Sequence, residues 1–326
     1  MMYRVAVAIG AGCAAALLFA VSAQTNPLAM ALAYLAPLPI MIASLGWGLD
    51  AGGLAAGVSV AALGLLTGLA SGLLFAASIA APAWILAAFA ATPIARYFSR
   101  RRPGAPAYAS VGSIVALASI IGMVAALTTL TSLIIVYGGY AQAAKQISEE
   151  LQAVARSAFE GGEESAAAIA FAATLVRFGP AAIAASTLLM LCVNLYAAAR
   201  STQMSNTLAR PWPDLPTSLQ LPWPFAIAFV LCVAGYFALP PPASQYASIG
   251  AGGLGGAFVL QGLAVAHALS RGLKLRIVML VALYACCIFR ANYTLPVLAG
   301  LGVIESFASL RTRSSLTPAP TRTPYK

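Results

Sequence analysis

Charged side chains are scarce in this sequence, which holds eight Asp and Glu and eighteen Lys and Arg among its 326 residues. They make up 8% of the chain, against about 25% in a typical soluble domain. One His and five scattered Cys leave too little material for a metal centre or a hydrolytic triad. The sequence also contains no GxxxxGK(S/T) or HExxH motif. These absences exclude a water-soluble fold and argue against an autonomous enzyme, and we expect no cofactor.

Apolar side chains make up 61% of the chain, and its mean hydropathy is +0.89. A helix that spans the hydrocarbon core needs about 20 mostly apolar residues. The sequence therefore predicts an all-α, polytopic transmembrane helix bundle of about ten spans. Eight or nine spans are also open, because Ala70-Ser71 alone separates the third and fourth apolar runs and the ninth run is short. The ten runs cover residues 5–23, 28–46, 51–69, 72–95, 110–137, 168–199, 223–239, 246–270, 275–289 and 294–310.

The charges in the loops indicate an orientation. An N-terminus placed inside puts fourteen of the eighteen Lys and Arg on the cytoplasmic side, where such residues are retained. We therefore predict cytoplasmic termini and a multi-pass protein of the bacterial inner membrane, with the lipid bilayer as its partner. The net charge of +10 is then a signal of topology, and no nucleic-acid partner is expected. Val21-Ser22-Ala23 also resembles a signal-peptide cleavage site, but a retained first helix fits the long run better.

Two polar segments interrupt the single transmembrane domain that we predict over residues 1–313. Residues 139–166 carry five Glu, with apolar residues at helical spacing, and predict an external, acidic, amphipathic helix. Residues 200–222 are rich in Pro and Trp, so they cannot form one continuous helix and predict an ordered cytoplasmic loop. Residues 314–326 predict a disordered cytoplasmic tail.

Arg177 lies in the apolar stretch FAATLVRFGPAAIAAS, where a charge costs about 2.5–3.5 kcal/mol unless it is paired or hydrated. Pro180 follows closely, lacks a backbone N–H and predicts a broken helix of the kind that often lines substrate sites. Arg177 and Pro180 are therefore candidate ligand-site residues, and we expect Arg177→Ala to abolish ligand-induced thermal stabilisation. In the alternative interpretation, residues 165–178 continue the amphipathic helix and Arg177 reaches the lipid headgroups.

Glu305 is predicted to lie about one turn inside the end of the last span, where it needs a cationic or hydrogen-bonding partner such as Arg311. Two roles fit this position: binding a cation or proton, or clipping two helices together at the cytoplasmic rim. We favour the clip. Asp50 is interpreted as the N-cap of a helix, and Gln261 as a polar group that holds helices together.

Glycines recur at intervals of four residues, interrupted once, along the third and fourth runs. Such spacing lets helix backbones approach closely, and it predicts packing within the bundle or against a protein partner. These helix-packing candidates are Gly53, Gly57, Gly64, Gly68 and Gly72.

Four stretches carry a resemblance to a known family. They are YLAPLPIMIASLGWG (34–48), AAPAWILAAFAATPIAR (80–96), RPWPDLPTSLQLPWPF (210–225) and LGVIESFASLR (301–311). They resemble the alphaproteobacterial branch of the YybS-like family, bacterial integral membrane proteins with a domain of unknown function. This family is distantly grouped with the S components of energy-coupling-factor transporters and with MreD-type proteins. The resemblance implies a helical core that binds a small solute and docks on a separate energising complex.

Three functions follow as hypotheses. The first is an S-component-like membrane protein that binds or helps translocate a small solute. The second is a non-transporting, MreD-like scaffold that recruits partners through its polar segments. The third is lipid handling through the basic cluster Arg100, Arg101 and Arg102, which would face anionic headgroups. The sequence indicates no oligomeric state.

Overall fold

The computed structural model describes residues 2–23, 27–93, 108–158, 163–208, 210 and 212–311. The predicted tail, the cluster Arg100–Arg102 and the expected helix end at Gly161-Gly162 lie outside these residues. The helices are α1 (Met2–Ala20), α2 (Pro27–Ala33), α3 (Pro37–Trp47), α4 (Leu49–Thr67), α5 (Leu69–Phe75), α6 (Ala81–Ala91), α7 (Val111–Val136), α8 (Tyr140–Ala158), α9 (Glu163–Met204), α10 (Leu215–Ser218), α11 (Trp223–Ala238), α12 (Ala243–Leu269), α13 (Arg276–Phe289) and α14 (Ala291–Ala308). A 3-10 turn, Val21–Ala23, follows α1, and a π-helical turn, Ala76–Ala80, joins α5 to α6.

The chain is an all-α, polytopic membrane protein, as the sequence predicts. In the described ranges, seven helical segments are long and apolar enough to cross a membrane. The remaining three predicted runs form the helices α11, α13 and α14. Helix α13 has 14 residues and so rises about 21 Å, which is less than the thickness of the hydrocarbon core. The ten apolar runs thus each correspond to a helix of the described chain, although not every one of these helices has the length of a full span.

The described residues divide into two compact units, each built from two separate stretches of chain. The first unit comprises residues 1–125 and 186–213, and the second comprises residues 126–185 and 214–326. Helices α7 and α9 each contribute residues to both units. The single domain predicted over residues 1–313 stays a prediction.

Small residues form the core of the first unit. Four buried alanines form a cluster where α1, α3 and α4 meet: Ala8, Ala43, Ala51 and Ala55. A Cβ added at Gly12 would lie 2.6 Å from the carbonyl oxygen of Ala55, so α1 and α4 touch through their backbones. Such close approach increases van der Waals contact between helices, which drives their association in lipid.

The turn between the third and fourth runs is made by Gly68. Its φ of 102° is a left-handed conformation that side chains rarely adopt, and it separates α4 from α5. The hinge at Ala70-Ser71 is therefore corrected to a position two residues earlier, because glycine is the residue that tolerates this backbone. Asp50 is also corrected: it lies in the first turn of α4, whose N-cap is Gly48, and makes no capping bond.

In the second unit, α12 lies against both α11 and α14. Glycines permit the α12–α14 contact, because a Cβ at Gly262 would collide with the carbonyl group of Leu298. A Cβ at Gly302 would likewise collide with the carbonyl oxygen of Phe258. The two helices therefore approach at van der Waals distance on each side of this crossing.

Helix α8 lies within residues 139–166, for which the sequence predicts an external amphipathic helix; the external location stays a prediction. Its glutamates Glu149 and Glu150 are exposed, whereas Ala143 is buried. Helix α9 ends at Met204, and the Pro-rich stretch that follows holds one short helix, α10. The cytoplasmic location predicted for residues 200–222 stays a prediction.

Candidate functional site

A cavity of about 150 Å³ lies in the second unit, between residues of α7, α8, α9 and α12. Three of the side chains that line it carry polar groups: Thr129, Tyr140 and Gln245. The others are Ala, Leu, Ile, Val, Gly and Pro, and within the described part of the chain no charged side chain lines the cavity. The cavity is thus an apolar space with few hydrogen-bonding groups.

Gln245 places an unpaired amide group at this cavity. Its side chain is 6% exposed, and its Oε1 atom has no hydrogen-bond partner among the described residues. A buried polar atom left without a partner costs about 1–3 kcal/mol.

The local sequence explains why Gln245 is held in this place. Helix α12 begins directly after the prolines 240–242, and Pro242 is its N-cap. The backbone N–H of Gln245 donates to the carbonyl oxygen of Pro242 at 3.0 Å, and its own carbonyl oxygen accepts from Ser248 Oγ at 2.7 Å. These bonds fix the main chain of Gln245 in the first turn of α12.

Tyr140 is the first residue of α8 and also lines the cavity. Gly138, with a φ of 72°, and Gly139, with a φ of 150°, make the turn that brings it there. Burial raises the pKa of Tyr140, and the neighbouring Tyr236 raises this pKa further. Its hydroxyl group consequently stays protonated at neutral pH.

Pro180 lines the cavity together with Gly179 and Val176. Helix α9 nevertheless runs unbroken from Glu163 to Met204, so the predicted helix break is wrong. Pro180 removes the usual i+4 hydrogen bond to the carbonyl group of Val176, and a single missing bond does not end a helix of 42 residues. Pro180 therefore lines the cavity from within an unbroken helix, and its role in a ligand site stays a prediction.

Arg177 lies on an exposed face of α9 and does not line the cavity. Its Nε–H donates to Tyr236 Oη at 3.0 Å, and its guanidinium carbon lies 5.3 Å from the centre of the Phe178 ring. The structure describes no carboxylate within ion-pair distance of it. These contacts link α9 to α11 and keep Arg177 apart from the cavity that Pro180 lines.

Glu305 is 2% exposed and makes the predicted pair with Arg311. Its Oε1 accepts from Arg311 Nε and its Oε2 accepts from the backbone N–H of Leu310, both at 2.8 Å. Arg311 also donates to the carbonyl oxygens of Pro216 at 2.7 Å and Leu219 at 2.8 Å. Both carboxylate oxygens thus have partners inside the protein, and the pair clips the segment 216–219 to the end of α14.

Gln261 fastens the same segment from α12. Its Oε1 accepts from the backbone N–H of Leu221 at 2.6 Å, and its Nε2 donates to the carbonyl oxygen of Gly302 at 2.7 Å and to Ser306 Oγ at 3.0 Å. This confirms that Gln261 holds helices together. Its amide group is satisfied, in contrast to that of Gln245 on the same helix.

Asp214 and Arg271 make a third attachment at the start of this segment. Arg271 donates to Asp214 Oδ1 at 2.7 Å, and Thr217 Oγ1 donates to Asp214 Oδ2 at 2.8 Å. The hydrogen bond from Arg271, followed by that from Thr217, lowers the pKa of Asp214. Both charged side chains are about half exposed, so solvent screens their interaction.

Arg210, in the first unit, is a functional residue that the sequence analysis left among the loop charges. It is 8% exposed and donates to the carbonyl oxygens of Ala90 at 2.8 Å and Ala109 at 2.9 Å. Its guanidinium carbon lies 5.3 Å from the centre of the Tyr108 ring and 5.6 Å from that of Trp212. Burial lowers the pKa of Arg210, and Tyr108 opposes this change. Arg210 therefore supplies a hydrogen-bond donor to a carbonyl group in the last turn of α6. No motif in the sequence indicates this role.

The predicted glycines divide by environment. A Cβ at Gly72 would lie 2.9 Å from Gly64 Cα, so these two glycines let α5 fold back on α4. A Cβ at Gly53 would lie 3.4 Å from Trp84 Nε1, which is an ordinary contact. A Cβ at Gly57 would meet open space. Packing of the exposed positions against a partner stays a prediction.

A resident metal finds no ligand set in the described ranges, which contain no group of three His, Cys, Asp or Glu side chains close enough to hold one ion. The single imidazole, His267, makes a hydrogen bond of 2.9 Å with Tyr284 Oη. It therefore serves the contact between α12 and α13.

Among the described residues, seven helical segments have the length and composition of membrane spans, and two shorter helices are also apolar. These helices define a multi-pass integral membrane protein. The chain belongs to the family described as "Predicted membrane protein (DUF2232)", which matches residues 13–306. No curated protein and no solved structure shows significant similarity to it.

Proposed function

We propose that this protein binds a small solute within the membrane, in the cavity beside Pro180. The observation that carries the proposal is the cavity of about 150 Å³ itself, whose lining within the described residues is almost wholly apolar and includes Pro180 and Gln245. A unit that served packing alone would fill this space with side chains, because a void forfeits the dispersion contacts of the residues around it. A bound molecule restores those contacts.

The resemblance to the YybS-like family supports the same function. Through that family the chain is similar to S components, which capture a solute and dock on an energising complex. An alphaproteobacterial type, the bacterial inner membrane, cytoplasmic termini and an energising partner belong to this proposal. The proposal places the ligand against Pro180 and Gln245. Arg177 contacts Tyr236 of α11 and does not line the cavity. We therefore expect Arg177→Ala to retain binding of the solute, in contrast to the expectation from the sequence alone.

Filling the cavity tests the proposal. Ala143 of α8 lines the cavity and is 3% exposed, so leucine at this position takes up the ligand's space. Ala141 lies two residues earlier on the exposed side of the same helix, and Ala141→Leu is the matched control.

We expect native mass spectrometry of the purified protein to detect a bound small molecule. It should be present in the unaltered chain, in Ala141→Leu and in Arg177→Ala, and it should be missing from Ala143→Leu. The same bound mass in Ala143→Leu would contradict the cavity as the site. Loss of the mass from Arg177→Ala alone would return the site to Arg177.

A scaffold is the second candidate, and a different observation favours it. Residues 214–221 are held by Asp214, Arg311 and Gln261 through contacts to α12 and α14, which is more than a simple connection between helices requires. A fixed surface segment suits recognition by another protein. Crosslinking from residue 220 in intact cells should recover a protein partner without a coupling ATPase if the chain is a scaffold, and a coupling ATPase if it serves transport.

Lipid handling is the third candidate. It rests on the basic cluster Arg100–Arg102, which lies outside the described residues. Lipid binding that disappears when these three arginines are neutralised would support it.

A further inference from the structure

The surface of the cavity restricts the chemistry of its ligand, and this inference rests on the proposed function. Within the described residues no charged side chain lines the cavity, and its surface is almost wholly hydrocarbon. A carboxylate, phosphate or ammonium group would lose its hydration there without gaining a counter-charge, and this costs far more free energy than the burial of a neutral polar group. A charged solute therefore does not fit this site.

The three polar side chains of the lining offer little to a neutral polar ligand. The Oε1 atom of Gln245 has almost no accessible surface, so a molecule in the cavity does not reach it. Thr129 already has a partner within the protein, and Tyr140 has Tyr236 as a polar neighbour. A hydroxyl, carbonyl or amide group on the ligand would therefore give up its hydrogen bonds outside the protein and replace few of them.

The volume indicates the size of the ligand. An apolar cavity of about 150 Å³ accommodates a molecule of the size of benzene. Water is a poor occupant of this space, because an ordered water needs two to four polar partners and the lining is mostly hydrocarbon. An apolar molecule needs no such partners, and it restores the dispersion contacts that the side chains around the space otherwise lack.

We infer that the cavity binds an uncharged, apolar molecule of about the size of benzene and discriminates against molecules that carry hydrogen-bonding groups. Contacts with hydrocarbon side chains such as Leu130, Ile147 and Leu175 supply the affinity. A polar substituent weakens binding, because it is desolvated without compensation. A ligand of this kind dissolves in the hydrocarbon core of the membrane, so the bilayer itself supplies it to the protein.

Three probes of similar size test this inference. 4-Fluorotoluene, 4-fluorophenol and 4-fluorobenzaldehyde carry a methyl, a hydroxyl or an aldehyde group at the same position of the ring, and broadening of the fluorine NMR signal reports their binding. Titrations into empty micelles measure the partition of each probe into detergent, and each affinity is expressed relative to that partition. Ala143→Leu fills the cavity and corrects for binding elsewhere on the protein, and Ala141→Leu is its matched control on the exposed side of α8.

We expect the unaltered chain to bind 4-fluorotoluene about tenfold more tightly than either polar probe on this relative scale, because the cavity replaces few of the hydrogen bonds that a hydroxyl or aldehyde group loses. Tyr140→Phe keeps the ring and removes the hydroxyl group, and Gln245→Met keeps the length of the side chain and removes the amide. Both variants should bind 4-fluorotoluene as the unaltered chain does, since neither polar group takes part in binding it. The comparison of the three probes on the unaltered chain depends on no variant.

The outcomes separate this inference from the proposed function. Equal relative affinities of the three probes for the unaltered chain, with binding absent from Ala143→Leu, would overturn the apolar selectivity and leave the cavity as a binding site. A preference for a polar probe that disappears in Tyr140→Phe or Gln245→Met would overturn it as well and would assign a polar ligand to the same site. Binding of no probe above the level of Ala143→Leu would overturn the proposed function together with this inference.

Discussion

The Glu305–Arg311 pair provides a quantitative test of how the second unit is held together. The two side chains are 3% and 10% exposed, and their closest atoms lie 2.8 Å apart. Removing one member of a buried ion pair costs about 3–5 kcal/mol, because the other charge stays buried without its partner. We therefore expect Glu305→Met to lower the free energy of unfolding by this amount.

Arg311→Met should cost at least as much, since it also removes the bonds to the carbonyl oxygens of Pro216 and Leu219. The double variant should cost less than the sum of the two single variants, by about 2–3 kcal/mol, because it leaves neither charge unpaired. Unfolding by sodium dodecyl sulfate in mixed micelles, followed by circular dichroism, measures each value.

The exposed pair Lys145–Glu149 is the matched control. Its atoms lie 3.9 Å apart and both side chains are more than half exposed, so removing either charge should cost less than about 0.5 kcal/mol. Single variants at Glu305 and Arg311 that cost under about 1 kcal/mol, or that add without coupling, would refute the reasoning from burial.

Two further predictions concern packing and pH. Gly262→Ala should lower the free energy of unfolding by about 1–3 kcal/mol, because its methyl group meets the carbonyl group of Leu298. The control Gly57→Ala places its methyl group in open space and should raise the free energy of unfolding by about 0.5–1 kcal/mol. Equal effects of the two variants in the same assay would contradict the close crossing of α12 and α14. The lowered pKa of Asp214 predicts stability that is complete above the unfolded pKa of about 3.9 and is lost as the pH falls through the folded value. Asp214→Asn should remove this dependence of stability on pH. A salt concentration of about 0.5 M should weaken it in part, because the Asp214–Arg271 contact is exposed to solvent. An identical pH profile for Asp214→Asn and the unaltered chain would show that the pair does not stabilise the fold.

The long helices could be predicted from sequence because their physical cause is local. A run of about 20 apolar residues has one stable conformation in lipid, the helix that satisfies its own backbone groups. The ends were predicted less accurately where they depend on a single residue, as at Gly68, whose left-handed backbone divides α4 from α5.

The site depended on contacts that the sequence does not display. Gln245 stands three residues after Pro242 and resembles an ordinary polar residue at a helix start, so the sequence does not show that it is buried or that it lines a cavity with residues of α7, α8 and α9. The sequence indicates only a loop charge at Arg210, although its side chain is buried and donates to the carbonyl oxygen of Ala90 in α6. Glu305 and Gln261 were predictable as helix contacts, because a polar group inside an apolar run requires a partner nearby.

The interleaved order of the two units has a consequence for biosynthesis. The first unit needs residues 186–213, which a ribosome adds only after the whole stretch 126–185. Asn194, for example, donates to the carbonyl oxygen of Tyr34, 160 residues upstream. The helices of residues 1–125 therefore stay incompletely packed in the bilayer until residues 186–213 have been synthesised. A nascent chain halted near residue 185 would leave the surface that packs against residues 186–213 uncovered, and quality-control proteases could recognise it.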